Sequence, residues 1–123
     1  MEETLLSNPL FEQVMLVGQD QRQLGVLIVP KIEHLLSWAN EKGLVIELAL
    51  GQLQSNSELK ILLRSEINKL LSKRKGARSE ERVVGIAFVE QFSIENGLLT
   101  QTLKQRRQLI SERDKDSIHS IFS

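Results

Sequence analysis

Three short apolar runs constrain the fold of this chain more than any other feature of its sequence. Each is rich in Val and Ile and shows no alternation of apolar and polar residues. Such runs are typical of strands in a sheet that is covered on both faces, because a half-exposed strand would alternate. The runs are QVMLVG at 13–18, LGVLIVP at 24–30 and RVVGIAFVEQF at 82–92. The first two flank a polar loop at 19–23 and therefore predict a hairpin.

Helical patterns lie between the second and third runs. Residues 31–43 place apolar side chains at i, i+3, i+4 and i+7 and end at Gly43, which predicts an amphipathic helix. Residues 44–54 are compatible with either a helical turn or irregular packing. Ser55 and Glu58 have the spacing of a capping box, so the next helix is predicted to begin there. Its apolar stripe consists of Leu59, Leu63, Ile67 and Leu70.

Two terminal segments complete the predicted fold. Residues 2–13 indicate a short acidic helix or turn that ends at Asn8, because the residue before proline avoids helical backbone angles. A final charged helix is predicted from about Arg106 to Phe122, and its thin apolar side consists of Ile110, Ile118 and Ile121. This order predicts an α+β fold, with one domain at 1–123 and a small, mostly three-stranded sheet flanked by helices.

Composition narrows the classes of function. Hydrophobic residues make up 41% of the 123 residues and charged residues 26%, as in water-soluble globular domains. No apolar run approaches the roughly 18 residues of a transmembrane span. No basic and apolar leader follows Met1, so a cytoplasmic protein is expected. The chain has no cysteine and two distant histidines, His34 and His119, so neither a disulfide framework nor a metal site is predicted.

The charge balance argues against a nucleic-acid partner. Sixteen basic and sixteen acidic residues give a formal net charge of zero, and only 4% of the residues are aromatic. The cluster KRKGAR at 73–78 has two interpretations. Cations at a helix end complement the helix dipole, and the same cations could form a phosphate or nucleic-acid patch. The first interpretation needs no ligand and is preferred.

The stretch ENGLLTQTLKQRR at 95–107 contains the strongest candidates for functional residues. Asn96 and Gly97 predict a sharp turn, because glycine takes positive φ at low steric cost. An extended piece from Leu98 to Leu103 is expected to follow. Thr100 and Thr102 would then place both hydroxyls on one face, where they can bond loop backbone or cap the coming helix.

Three cations end this stretch. Lys104 lies between the extended piece and the final helix, where its ammonium can be delivered to an anionic group as a point charge. Ordinary solvated surface is the alternative for this lysine. Arg106 and Arg107 fall in the first turn of the predicted helix, where positive charge is disfavoured by ~0.3–1 kcal/mol each. This mismatch indicates an anionic partner.

These residues resemble a motif of a known protein family. NGLLTQTLKQRR at 96–107 resembles the C-terminal signature of the long-chain fatty-acid CoA ligases and the related acyl carrier protein synthetases, which are adenylate-forming enzymes. VMLVGQDQRQLGVLIVP at 14–30 is similar to that family's first C-terminal hairpin, and LLSWANEKGL at 35–44 to the helix that follows. The resemblance covers nearly the whole chain. Gln101 departs from it, since many relatives have proline there.

The resemblance implies that the chain is the small, mobile C-terminal domain of a larger ligase. Its main partner would be the large N-terminal domain of the same chain. Such ligases use ATP and Mg to convert a fatty acid to an acyl-adenylate, and the acyl group then passes to the thiol of coenzyme A (CoA) or an acyl carrier protein. The parent would be cytoplasmic, with peripheral membrane contact as an alternative. The isolated domain is expected to be inactive and to bind no cofactor.

The resemblance also implies roles for individual residues. Lys104 matches the lysine that enters the active site during adenylation, and Asn96, Gly97, Thr100 and Thr102 support the motif. Arg106 and Arg107 are candidates for contacts with CoA or the carrier protein. Two alternatives stay open. One is a stand-alone interaction module that docks an acidic carrier protein or the phosphates of CoA, and the other is a small ferredoxin-like domain with no site.

Overall fold

The computed structural model describes residues 2–18, 23–73, 76 and 82–122. Three strands and six helices lie in these ranges. The strands are β1 (Phe11–Gly18), β2 (Gln23–Pro30) and β3 (Arg82–Phe88). The helices are α1 (Glu2–Leu6), α2 (Ile32–Glu41), α3 (Leu50–Ser55), α4 (Ser57–Lys73), α5 (Arg107–Arg113) and α6 (Lys115–Phe122). In this part of the chain no helix has the length and apolar character needed to cross a membrane.

The sheet has the strand order β1-β2-β3 and is mixed. β1 and β2 form the predicted antiparallel hairpin, with Leu16 opposite Val26. β2 and β3 are parallel, with Val26 opposite Ile86. A parallel pair requires a long crossover, and α2, α3 and α4 lie within this one. The predicted α+β class and three-stranded sheet are confirmed.

Both faces of the sheet are covered, as the apolar runs predicted. Consecutive residues of a strand point to opposite faces, and Val26, Leu27, Ile28 and Val29 are all buried. Val26 and Ile28 belong to a large core that also contains the buried residues of α1 to α4. Leu27 and Val29 belong to a small core with Ile110 of α5, and α6 packs against it through partly buried isoleucines.

The predicted start of α4 is wrong by one residue. The Asn56 side-chain oxygen accepts the Leu59 N–H at 3.0 Å, so Asn56 is the N-cap. Ser55 is the last residue of α3, and its hydroxyl donates to the Gln52 carbonyl at 3.2 Å. The reason is that α3 runs up to Ser55 and leaves only Asn56, which has extended backbone angles, between the two helices.

The predicted stripe on α4 is correct except at its last member. Leu59, Leu63 and Ile67 are fully buried, and Leu71 rather than Leu70 continues the stripe. Leu70 is only partly buried against the same core. The segment 44–54 is irregular up to residue 49 and helical from residue 50. Residues 74, 75, 77 and 78 of the basic cluster lie outside the described ranges, so both interpretations of the cluster stay predictions.

The final helix is divided into two. We predicted one helix from about residue 106 to residue 122, but Asp114, with φ −105° and ψ 23°, separates α5 from α6. Arg113 fixes the end of α5, because its guanidinium donates to the Glu90 and Gln91 carbonyls at 2.7 and 3.1 Å. Ile110 of α5 is buried in the small core, whereas Ile118 and Ile121 of α6 are only partly buried against it.

α6 packs against two paired glycines of the sheet. Gly25 and Gly85 are neighbours in the β2–β3 ladder, and Ile121 lies over both. A Cβ atom at Gly25 would lie 2.8 Å from Ile121 Cγ2, and one at Gly85 would lie 3.2 Å from the Ile121 carbonyl oxygen. We call Gly25 and Gly85 the glycine notch. The absence of side chains there allows the helix to approach the sheet closely.

Candidate functional site: the lysine hairpin

The turn at Asn96 and Gly97 leads into the site. The Asn96 side-chain oxygen accepts the Ser93 and Leu98 N–H groups at 3.0 and 3.1 Å, and its amide donates to the Gln91 carbonyl at 2.9 Å. Gly97 has φ +80°. The sharp turn expected from these two residues is therefore present, and the asparagine side chain holds it.

Residues 98–106 form a small hairpin, which we call the lysine hairpin. Leu99 and Gln105 make an antiparallel bridge, and the Arg106 N–H donates to the Leu98 carbonyl at 2.9 Å. Closer to the tip, the Thr100 N–H donates to the Lys104 carbonyl at 2.8 Å. The chain therefore doubles back within 98–106, whereas we predicted an extended piece up to Leu103. The reversal results from backbone hydrogen bonds across the hairpin, between residues four to eight positions apart. No periodic pattern in the sequence reveals such bonds.

The two threonines brace the tip of the lysine hairpin. Their hydroxyl oxygens are 3.2 Å apart, on one side of the chain as predicted. The Thr100 hydroxyl also accepts the Lys104 N–H at 3.1 Å. Thr100 thus contacts the Lys104 backbone through its main chain and its side chain, which restricts where the lysine side chain begins. In contrast to one expectation, neither threonine caps the following helix, since the N-cap, Arg106, has no side-chain cap bond.

Gln105 anchors the lysine hairpin to the sheet, and sequence reasoning missed it. Its side-chain amide donates to the Val14 carbonyl on the outer edge of β1 at 2.7 Å. Its side-chain oxygen is buried and accepts no hydrogen bond from the residues that the structure describes. The sequence signal that could have identified Gln105 is its position between two cations in an extended arm. Alternate side chains of such an arm point to opposite sides. Gln105 points to the sheet, whereas Lys104 and Arg106 are exposed.

Lys104 is presented outward. Its side chain is exposed and forms no ion pair with any residue that the structure describes. Both arms of the lysine hairpin are fixed, the first by the Asn96 turn and the second by the Gln105 anchor. The arrangement therefore holds a solvated ammonium on a stiff mount, which is the geometry needed to bring a point charge to an anion.

The two arginines differ from each other. Arg106 is exposed and has no ion pair within the described ranges. Arg107, the first residue of α5, donates from Nη2 to the Glu2 carboxylate at 2.6 Å. The other Glu2 oxygen accepts the Leu16 N–H of the β1 edge at 2.8 Å. Sequence reasoning did not single out Glu2, which supplies the negative charge that the first turn of α5 lacks.

The fold has counterparts among solved structures. The adenylation domain of a carboxylate reductase from Mycobacterium chelonae superposes with a TM-score of 0.73 at 20% identity, over 98% of this chain and 17% of that one. The A-PCP didomain of a carboxylic acid reductase from Segniliparus rugosus, solved with AMP, gives 0.72 at 22% identity over 98% and 15%. The fold is thus that of the C-terminal domain of adenylate-forming enzymes.

Curated relatives point to one group within this class. Long-chain-fatty-acid–CoA ligase 1 of Cavia porcellus is 34% identical over 113 residues, or 90% of this chain. A long-chain-fatty-acid–[acyl-carrier-protein] ligase of Arabidopsis thaliana is 29% identical over 100% of this chain. A probable acyl-activating enzyme of the same plant is 28% identical over 99% of this chain. No protein-family model matches the chain.

These similarities confirm the resemblance to long-chain fatty-acid ligases that the sequence showed. The similarity extends along nearly the whole chain, and the chain spans only about one sixth of the length of those relatives, 15% to 16%. The chain is thus similar to one segment of an enzyme much longer than itself.

Proposed function

We propose that this chain is the C-terminal domain of an ATP-dependent fatty-acid ligase and that Lys104 supplies the cation for acyl-adenylate formation. The observation that carries the proposal is the exposed Lys104 ammonium, which has no ion pair in the described part of the chain and sits on a hairpin fixed at both arms. The similarity to fatty-acid ligases along nearly the whole chain supports it.

The chemistry of adenylation requires such a cation. A fatty-acid carboxylate must approach the α-phosphoryl group of ATP, and both groups are negatively charged. A preorganised cation placed between them lowers this repulsion and stabilises the charge that spreads over the phosphoryl oxygens in the transition state. The lysine hairpin would deliver the Lys104 ammonium to that position while its backbone stays bonded to Thr100.

The other parts of the reaction are assigned to the rest of the ligase. Within the described ranges no three His, Cys, Asp or Glu residues come together as a metal site, so the proposal gives this chain no ligand for the Mg²⁺ that accompanies ATP. Withdrawal of the lysine hairpin after adenylation would clear the approach for the thiol of CoA or of a carrier protein, as lid movements commonly do.

The test uses the parent ligase, meaning the longer protein in which residues 1–123 form the C-terminal domain. Lys104→Ala should slow adenylate formation by about 10²- to 10³-fold, the usual effect of removing one transition-state donor. Thioester formation from supplied acyl-adenylate should stay within about twofold of the unmodified enzyme. Pyrophosphate exchange measures the first half-reaction, and thioester release measures the second.

Lys115→Ala is the matched control, because Lys115 is an exposed lysine on α6 outside the lysine hairpin. It should leave both half-reactions unchanged. An equal loss of both half-reactions in Lys104→Ala would contradict the assigned role and indicate damage to the fold. Pyrophosphate release from oleate and ATP by residues 1–123 alone would contradict the division of labour between this chain and the rest of the ligase.

A second candidate function is a stand-alone interaction module for an acidic carrier protein or the phosphates of CoA. Arg106 favours it, since its exposed guanidinium forms no ion pair in the described residues. Arg107 gives it less support, because Glu2 already binds that guanidinium. The coding sequence upstream of Met1 separates the two functions. An open frame with a phosphate-binding loop supports the ligase, and its absence supports the module.

A further inference from the structure

Leu103 combines two unfavourable features at the tip of the lysine hairpin. It has φ +65° and is, among the described residues, the one non-glycine residue with positive φ. The left-handed region is sterically costly for a residue with a Cβ atom, and leucine has no polar group near the backbone to offset that cost. Its side chain is also 66% exposed, so a large apolar group faces water.

The left-handed conformation follows from how the lysine hairpin closes. The Leu103 N–H donates to the Thr100 carbonyl at 2.8 Å, and Thr100 then pairs with Lys104 across the tip. The loop therefore has three residues, 101–103, and its third residue must be left-handed for the strands to meet. Glycine or asparagine is usual at this position. Either residue would satisfy the backbone of this loop better than leucine does.

Nothing within the described domain offsets the choice of leucine. Leu103 belongs to neither the large nor the small core and stays 66% exposed. Leu109, a few residues further along on α5, is also exposed, at 42%, but lies in ordinary helical backbone. Leu103 is thus exposed like other surface leucines while also carrying a backbone cost.

The immediate neighbour of Leu103 is Lys104, the residue that the proposed function sends into another domain. Any surface that receives the Lys104 ammonium must also approach the adjoining tip residue. The curated relatives are about six times longer than this chain, so their sequence provides a large domain outside the segment described here. In the proposed function, that domain is close to Lys104 when the lysine acts.

We propose, on the basis of the function above, that Leu103 is a positioning residue which docks into an apolar recess of the large domain when Lys104 enters the active site. Burial there would offset the exposed apolar surface and lock the tip, so that the ammonium arrives in one orientation. The leucine thereby contributes to adenylation without contacting the reacting atoms.

Three substitutions at this position separate docking from folding. Leu103→Asn keeps a side chain of four heavy atoms branched at Cγ, tolerates a left-handed backbone and removes the apolar contact. Leu103→Gly removes the side chain and relieves the backbone cost. Leu103→Met keeps an apolar side chain of similar volume. Val45→Asn is the control, because Val45 is 91% exposed in the irregular segment between α2 and α3.

In the parent ligase, Leu103→Asn and Leu103→Gly should slow adenylate formation by about tenfold or more, the effect expected of losing a buried apolar anchor. Leu103→Met should stay within about threefold of the unmodified enzyme. Thioester formation from supplied acyl-adenylate should be unchanged in all three. The thermal midpoint of residues 1–123 carrying Leu103→Asn should be equal to or higher than that of the unmodified chain. Val45→Asn should change neither half-reaction.

Three outcomes would overturn the docking role. One is normal adenylation in Leu103→Asn while Lys104→Ala is impaired, and the proposed function would then stand without it. Another is a decrease in the rate of adenylate formation that is as large in Leu103→Met as in Leu103→Asn, because the apolar character of the side chain would then not matter. The third is a lower thermal midpoint in Leu103→Asn, because the leucine would then act within its own domain. Normal adenylation in Lys104→Ala would remove the proposed function itself.

Discussion

The two faces of the sheet differ in how they are held. Among the described residues, the large core under α1 to α4 contains 17 buried hydrophobic residues, whereas the small core under the lysine hairpin, α5 and α6 contains eight. α6 has no fully buried residue at all. Because apolar burial is the main source of folding free energy, most of the stability of this domain comes from the helical crossover side. The candidate site is mounted on the thinner side.

Specific side-chain bonds to backbone groups supplement the small core on this thinner side of the sheet, which we call the thin side. Gln13 exchanges two hydrogen bonds of 2.8 Å with the Phe92 main chain, and Gln105 binds the Val14 carbonyl. Arg113 lies over the Phe92 ring, with 5.3 Å between the guanidinium carbon and the ring centroid, while it binds two main-chain carbonyls. Such hydrogen bonds fix the positions of backbone groups without burying much apolar surface. The proposed role of Lys104 requires such fixed positions more than it requires a deep core.

The largest effect should come from the large core. Leu63→Ala removes a fully buried side chain from the middle of α4 and should lower the free energy of unfolding by about 2–5 kcal/mol. Urea denaturation followed by circular dichroism measures it. Ile61→Ala, on the same helix but 56% exposed, should change that free energy by less than about 0.5 kcal/mol. Similar losses in both variants would show that the crossover side is not the main source of stability.

An intermediate effect is expected at the glycine notch. Gly25→Ala forces Ile121 away from the sheet and should cost about 1–3 kcal/mol. Amide hydrogen exchange should accelerate in α6 and stay slow in α4, because the contact that is lost holds only the thin side. Adding Ile121→Ala should give a total loss smaller than the sum of the two single losses.

Gly51→Ala is the control for the glycine notch. No atom lies within 4 Å of a Cβ at this helical position, so alanine should be neutral or stabilising. If Gly25→Ala were equally harmless, close approach of Ile121 to the sheet would not hold α6 in place. Acceleration of exchange throughout α4 would show instead that the two sides unfold as one unit.

The smallest effect should come from Lys60, where the two sides meet at the edge of β3. Lys60 lines a cleft with Arg64 of α4 and Ile121 of α6, and desolvation by partial burial lowers the pKa of its ammonium from 10.5. The charged form is therefore disfavoured in the folded state. Lys60→Met should raise the thermal midpoint at pH 7 by a small amount.

The sign of the pH dependence follows from proton binding. Between the lowered pKa and 10.5 the unfolded chain holds more protons at Lys60 than the folded chain, so the unmodified protein gains stability as pH rises. The advantage of Lys60→Met should therefore shrink as pH approaches 10.5. Lys69→Met, at an exposed position on the same helix, should show no such trend. If Lys60→Met raised the thermal midpoint by the same amount at every pH, removal of the lysine charge would not be the cause of the stabilisation.

The sequence by itself determined the three strands, the helices α2 and α4, and the location of Lys104 in the chain. The apolar runs identified all three strands and their burial on both faces, because the period of side-chain direction is local to each strand. Gly43 and Gly97 marked the end of α2 and the turn before the lysine hairpin, since both take positive φ. The order of residues around Lys104 placed it between a turn and a helix, and the family resemblance gave it a role to test.

Only the tertiary structure decided how these elements combine. The parallel direction of β3, the cap at Asn56 and the break at Asp114 depend on which faces pack together after the crossover closes. The pairing of Arg107 with Glu2 joins residues 105 positions apart, and the left-handed Leu103 follows from bonds across the tip of the lysine hairpin. Local patterns encode burial and turns. Contacts between segments distant in the chain arise only when the whole chain is compact, and those contacts set the direction in which Lys104 points.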